Sequence, residues 1–344
     1  MWVADHWKEY EVIDCSGGEK LERWGKYLLM RPDPQVIWNT PRVHSGWKHP
    51  NAHYHRSTKG GGEWEFFDLP EEWAIHYELP LSSTEERLPV DEAAISGKAS
   101  STKADVSKSL VSTNTPTSKA NANINAARSR RLTFRLKPFN FKHTGLFPEQ
   151  ACNWDWFAPL IADAVKSGRE VKVLNLFAYT GGATLAAAAA GAKVTHVDAS
   201  KGMVSWAKEN AAASGLDGAP IRWLVDDCTK FIEREIRRGN HYDAIIMDPP
   251  SYGRGPKGEI WKLEDSIYPF LTLCAQVLSP NPLFVLLNSY TTGLQPAVLT
   301  YMLSTVLKEF PGTVMADEVG LPVTSTGLVL PCGASGRFLG DINC

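Results

Sequence analysis

No stretch of this chain is long and apolar enough to cross a membrane. Its most apolar run, residues 183 to 190, is bounded by glycine turns and falls well short of the roughly 18 residues a span requires. The amino terminus, MWVADHWKEYEVID, carries acidic residues early and lacks a basic region followed by an apolar core, so it does not read as a secretory leader. A reducing compartment is expected, the cytoplasm first and the mitochondrion as the alternative. Cysteine is scarce and scattered: Cys15, Cys152, Cys228, Cys274, Cys332 and Cys344 include no C-x-x-C pair. That spacing excludes a disulfide framework and a cysteine-based zinc site. His53 and His55 share one face of a strand or loop, but nothing near them in the sequence completes a ligand set, so no metal is expected. Acidic residues are missing from 106 to 148, where Lys108, Lys119, Arg128, Arg130, Arg131, Arg135, Lys137 and Lys142 form a basic stripe. Such a stripe can track phosphates or simply face water.

What is present is core material. The chain has 344 residues, 43% hydrophobic and 22% charged, with a net charge of −2, enough for one large α/β domain and a smaller companion. Residues 1 to 80 are rich in tryptophan and hold short strand-like runs at 27 to 30, 35 to 38, 64 to 67 and 74 to 77, giving a small β-rich amino-terminal domain. From 81 to 131 the composition shifts to Ser, Thr, Ala, Asn and Lys, which buries too little apolar surface to offset chain entropy. A low-complexity, disordered insertion is expected there. From 132 to 344 apolar strands alternate with helical patterns, at 171 to 177, 194 to 198, 221 to 225, 242 to 247 and 283 to 288. This alternation predicts a Rossmann-like, doubly wound and mostly parallel sheet, whose ligands bind beyond the carboxyl ends of its strands.

The chemistry gathers at those ends. Phe177, Ala178, Tyr179, Thr180, Gly181 and Gly182 follow the first strand and open a helix, so the backbone can approach a ligand closely at a helix amino terminus. Neither G-x-G-x-x-G nor G-x-x-x-x-G-K-[ST] is present, which disfavours a diphosphate. Asp198 ends the second strand sixteen residues after Gly182, where a carboxylate can accept from ribose hydroxyls. Asp227 lies beyond the third strand and can accept from an adenine amino group, with Asp226 the lesser candidate; either can instead cap the next helix. After the fourth strand come Asp248, Pro249, Pro250, Ser251 and Tyr252, whose prolines hold an extended turn aiming a carboxylate and an aromatic ring at the same crevice.

Together LNLFAYTGGATLAAAAAGA, HVDAS, the Asp pair before a helix and MDPPSYGRG resemble the class I S-adenosylmethionine-dependent methyltransferases, and among them the ribosomal large-subunit RNA methyltransferase group. The resemblance covers about 133 to 295. It implies that Phe177 to Gly182 line the methionine part of S-adenosylmethionine, that Asp198 holds the ribose and Asp227 the adenine, and that Asp248, Pro249, Pro250 and Tyr252 face the substrate. Residues 145 to 150 resemble a cofactor-side segment that includes Glu149. Relatives continue there with Asp-Gln-Arg, whereas this chain has Glu149, Gln150 and Ala151. An enzyme methylating RNA at nitrogen is expected, with RNA as its partner. A methyltransferase acting on protein or a small molecule, or a non-catalytic cofactor-binding module, are the other readings. Methylation of cytosine carbon-5 would need a cysteine thiolate at the fourth or fifth strand end, and Cys228 and Cys274 are expected to pack in the core instead.

Overall fold

The computed structural model describes residues 1–57, 61–82, 129–139, 142–254, 260–291 and 293–341. The expected insertion at 81 to 131 lies outside the described residues except at its ends. Near the amino terminus Trp2–Val3 (β1) leaves to join a distant sheet, while Tyr10–Ser16 (β2), Glu19–Trp24 (β3), Tyr27–Pro32 (β4), Ala52–Arg56 (β5) and Gly62–Phe66 (β6) form a five-stranded sheet in chain order. Gly17 and Gly18, both at positive φ, make the two-residue turn that the twist of a β2–β3 hairpin favours. The strand expected at 35 to 38 does not form. Pro32 and Pro34 lack the N–H a ladder needs, and the Asp33 carboxylate instead accepts from the Gln35 amide at 3.0 Å, turning the chain.

Trp73–Pro80 (β7) and Ser129–Leu136 (β8) pair antiparallel along their whole lengths, with Pro80 opposite Ser129. Ser129, Arg130 and Arg131, read from composition as part of the insertion, are therefore strand residues. The ribbon buries Ile75, Tyr77, Leu79, Leu132, Phe134 and Leu136 on one face.

Past the ribbon, Ala151–Lys166 (α1) precedes Lys172–Leu176 (β9), Gly182–Ala189 (α2), Lys193–Asp198 (β10), Lys201–Ala213 (α3), Ile221–Val225 (β11), Cys228–Arg238 (α4) and Ala244–Met247 (β12). A short ribbon, Tyr252–Arg254 (β13) with Ile260–Lys262 (β14), leads into Leu263–Ala275 (α5), Phe284–Ser289 (β15), Pro296–Val306 (α6), Gly312–Pro322 (β16) and Val329–Gly340 (β17). The sheet order is β1-β16-β17-β15-β12-β9-β10-β11, parallel except where β17 runs against β15 and β16. The central strands bury both faces, which only helices on both sides can cover. Successive side chains alternate between layers: Val173, Val194, Ile246 and Leu286 pack with α1 and α2, whereas Leu174, Val197, Ile245 and Val285 pack with α4, α5 and α6. From β9 the chain winds outward through β10 and β11, then returns to β12 and β15 on the other side. The crevice where direction reverses lies at the ends of β9 and β12. No helix among the described residues is long and apolar enough to cross a membrane.

Candidate active site

The turn after β9 is held in a conformation that side chains resist. Phe177 and Tyr179 adopt φ of 55° and 49°, left-handed values that cost a non-glycine residue on the order of 1 kcal/mol each. Three groups hold the strain in place. The Tyr179 amide donates to Asp198 Oδ2 at 2.9 Å, Thr180 Oγ1 donates to the Gly145 carbonyl at 2.6 Å, and Asn210 Nδ2 donates to the Thr180 carbonyl at 3.0 Å. Gly181 closes the turn at φ 88°, and a β-carbon there would meet Ala207 at 3.0 Å. A methyl at Gly182 would come within 2.7 Å of the Trp154 ring, so this residue must be glycine for α2 to start where it does.

A narrow cleft opens over this turn, lined by Phe147, Gln150, Trp154, Phe177, Ala178, Tyr179, Thr180, Gly182, Asp248 and Asn288 among others. The motif residues thus converge, though in differing roles. Asp198 reaches beneath the turn: besides Tyr179 it accepts from the Ser200 amide at 2.8 Å, and burial pushes its carboxyl above its ordinary value while both amides oppose that. Asp227 caps α4, accepting from the Lys230 amide at 2.9 Å. Asp226 forms an ion pair with Arg234.

At the end of β12 the Asp248 carboxyl receives no hydrogen bond from the described residues. Burial, and then the neighbouring Glu149 carboxylate, push it up to about 7. Glu149 sits in a buried one-turn helix, Pro148–Gln150; burial raises its carboxyl too, against the pull of Lys20 and Arg31 from the amino-terminal sheet. Pro249 and Pro250 form the turn that the sequence predicts, braced where Trp261 Nε1 donates to the Pro250 carbonyl at 2.7 Å. Tyr252 differs from expectation. It heads β13, is 51% exposed, and stands outside the cleft lining.

Several site residues escaped sequence reasoning. Asn153, Asn288, Gln150 and Ser335 form a closed buried network, with Asn153 Nδ2 donating to Gln150 Oε1 at 2.9 Å and Ser335 Oγ to Asn288 Oδ1 at 2.7 Å. Arg337 donates to Asn153 Oδ1 at 2.7 Å while lying 3.5 Å from the Trp2 ring centre. The network fixes Gln150, whose Nε2 donates to Tyr290 Oη at 2.6 Å at the rim. Position 151, arginine in the resembling group, is here a fully buried alanine, so the contact that arginine would make is absent from this residue. Cys228 and Cys274 are buried as expected, their thiols pushed up by burial. Cys332 was overlooked because it lies far along the chain. It sits on β17 two residues from Ala334, which pairs with Ser289 at the end of β15, and burial and Glu149 push its thiol well up. A separate open groove at the other strand ends, between Lys172, Lys193, Arg222 and His241, holds none of the motif residues.

Comparison with known proteins decides what this cleft belongs to. A family model described as S-adenosylmethionine-dependent methyltransferase matches residues 122–278. A solved S-adenosylmethionine-dependent methyltransferase from Agrobacterium tumefaciens is 32% identical with a TM-score of 0.77, covering 98% of this chain and 93% of its own. This chain belongs to the S-adenosylmethionine-dependent methyltransferases. Ribosomal RNA large subunit methyltransferase K/L of Shewanella frigidimarina is 34% identical over 158 residues, which is 45% of this chain and 21% of that one. Its counterpart in Pseudoalteromonas atlantica is 35% identical over 150 residues. The chain therefore matches about a fifth of the length of these curated relatives.

The residues present fit the methyltransferase cofactor. Tyr179 Oη is buried in the wall of the cleft without a partner among the described residues, a polar atom that a bound ligand would satisfy. Asp198 keeps acceptor capacity beyond its two amide contacts, since a carboxylate offers about four lone-pair sites.

Proposed function

We propose that this methyltransferase transfers a methyl group to a nitrogen of an RNA base, with ribosomal RNA as the substrate class, and that Asp248 orients the acceptor. The observation that carries the proposal is the Asp248 carboxyl, poised near neutrality at the end of β12, facing the cleft beside the cofactor turn and free of hydrogen bonds from the described residues. Asp198 would accept from the ribose hydroxyls, the second Asp227 oxygen from the adenine amino group, and the turn from Phe177 to Gly182 would cradle the methionine part. S-adenosylmethionine supplies a methyl group on a positively charged sulfur, which needs no further activation.

What remains for the protein is positioning. Ionised Asp248 accepts an N–H from the target amine, aligning its lone pair and holding the proton that must leave. Pro249 and Pro250 keep the carboxylate fixed, and the exposed Tyr252 ring, outside the cleft lining, offers a surface on which a base can stack before its amine reaches Asp248. Burial, and then Glu149, keep Asp248 partly protonated near neutrality, so the pair can take up the departing proton. No thiolate is needed for nitrogen transfer, and burial keeps Cys228, Cys274 and Cys332 as thiols.

RNA is favoured by the names of the curated relatives and by Arg130 and Arg131 on β8. The rest of the described stripe is more neutralised than its sequence suggests: Arg135 and Lys137 pair with Glu72 at 2.8 and 3.2 Å. A reducing compartment, the cytoplasm, suits the free cysteines found among the described residues. Incubation of the protein with methyl-labelled cofactor and separated total RNA, protein and metabolites tests the reading. Label should enter RNA, and mass spectrometry of its nucleosides should show an N-methylated base. Label confined to protein or metabolites would overturn the RNA substrate. Formation of 5-methylcytosine that disappears in Cys332→Ser, Cys228→Ser or Cys274→Ser would overturn the nitrogen target.

A further inference from the structure

The amino-terminal sheet brings together four side chains that the methyltransferase site does not use. His53 and His55 lie two residues apart on β5, so both rings stand on one face of the sheet. β6 runs antiparallel beside them and sets Glu65 directly opposite His53. The third ligand that the local sequence lacks is thus supplied across the strand pair. Nδ1 or Nε2 of both rings and a Glu65 oxygen all lie within 4.8 Å of one another, and the rings are 3.9 Å apart. His55 Nε2 is 2.8 Å from Glu65 Oε2, and His53 Nε2 is 2.6 Å from Oε1 of Glu19, which comes from β3.

We propose that His53, His55 and Glu65, with Glu19 as the fourth donor, bind one divalent transition ion of the zinc class. The donor chemistry selects it: imidazole nitrogen with carboxylate oxygen suits zinc, whereas calcium and magnesium prefer oxygen alone. The geometry permits it. Donors about 2.0–2.1 Å from a tetrahedral ion sit about 3.4 Å from each other. His55 and Glu65, whose side chains are 47% and 53% exposed, have room to rotate toward that spacing. Arg42 holds Glu19 through Oε2 at 2.8 Å, which leaves Oε1 directed at His53.

The ion would also have mechanical work to do. β5 joins β4 through only two paired residues, Leu29 with Ala52 and Met30 with His53. The β5–β6 ribbon is the least tied part of this sheet, and an ion shared with Glu19 pins it to β3. A site of this kind couples metal binding to folding of the ribbon.

The test uses the full chain without an affinity tag, stripped by chelator and titrated calorimetrically with zinc(II) alone. One equivalent should bind with micromolar or tighter affinity. Cobalt(II) in its place should give the visible absorption of a four-coordinate site. His55→Ala and Glu65→Gln, both exposed positions that leave the core intact, should each weaken zinc at least tenfold, and the rise in Tm that zinc causes in the natural chain should vanish. Absence of saturable binding, or equal affinity in His55→Ala and Glu65→Gln, would overturn the proposal.

Discussion

Replacing Asp248 by asparagine should stabilise the protein at alkaline pH while disabling transfer. The Asp248 carboxyl rises from its ordinary 3.8 to about 7 through burial and the Glu149 carboxylate. In the unfolded chain it ionises near its ordinary value, so between about pH 4 and 7 the folded state binds the extra proton. Stability is therefore fully present below that window, declines as pH rises through it, and stays low above about 7. Three tenfold steps in proton affinity correspond to about 4 kcal/mol. The side chain is only half-buried, and solvent at its open side reduces the figure to about 2 kcal/mol. Asparagine is nearly isosteric and carries no charge to bury, so Asp248→Asn should gain about 2 kcal/mol at pH 8 and only about 0.5 kcal/mol at pH 4.5. Thermal unfolding followed by circular dichroism at both pH values measures this. In the same preparations kcat/KM of the natural enzyme should rise through about pH 7 as the carboxylate forms, and Asp248→Asn should lose at least a hundredfold with no such rise. An Asp248→Asn protein less stable than the natural one at pH 8, or a natural rate that is flat from pH 5.5 to 8.5, would refute the reasoning.

Other expectations follow from the same structure. Because Pro80 and Ser129 face each other at the end of a paired ribbon, a short Gly/Ser loop can replace residues 83–128; Tm should move by no more than about 2 °C, and loss of cooperative unfolding would show that the segment belongs to a domain. Arg130, which donates to the Gly215 carbonyl, and Arg131, whose nearest carboxylates are 4.0 Å away, keep charge to offer a phosphate. Changing both to alanine should lower RNA affinity across sequences and reduce the slope of log affinity against log salt by about two, measured by fluorescence anisotropy; an unchanged slope would assign them to solvent.

The methyltransferase core was legible in the sequence because buried parallel strands read as nearly unbroken apolar runs. The strand at Ala244–Met247, for instance, is AIIM followed at once by Asp248 and two prolines. The amino-terminal sheet was legible only in part. At its heart Lys20, Glu22, Arg31 and Asp33 are buried as an ion network, with Arg31 Nε donating to Glu22 Oε2 at 2.6 Å, and such residues look like a solvated surface until their partners are known. The carboxyl-terminal hairpin hid for another reason. VLPCGASGRFLG has the proline and glycine of a loop, yet Gly336 is needed because a β-carbon there would meet Leu303 at 2.6 Å. With that hairpin went Arg337, Ser335 and Cys332. Asp227 shows the limit at a single residue: a carboxylate after a strand fits a ligand contact and a helix cap equally well from sequence, and the structure shows the cap, with one oxygen left over.

The central claim is that the strained turn after β9, held by Asp198, is the cofactor site. Calorimetric titration with S-adenosylhomocysteine tests it most directly, comparing the natural chain with Asp198→Ala. Losing this carboxylate frees the Tyr179 and Ser200 amides and removes the acceptor for the ribose hydroxyls, each unsatisfied group costing about 1–3 kcal/mol. One equivalent should bind the natural chain, and at least tenfold more weakly to an Asp198→Ala protein whose circular dichroism is unchanged. Equal affinity in the folded variant would contradict the account.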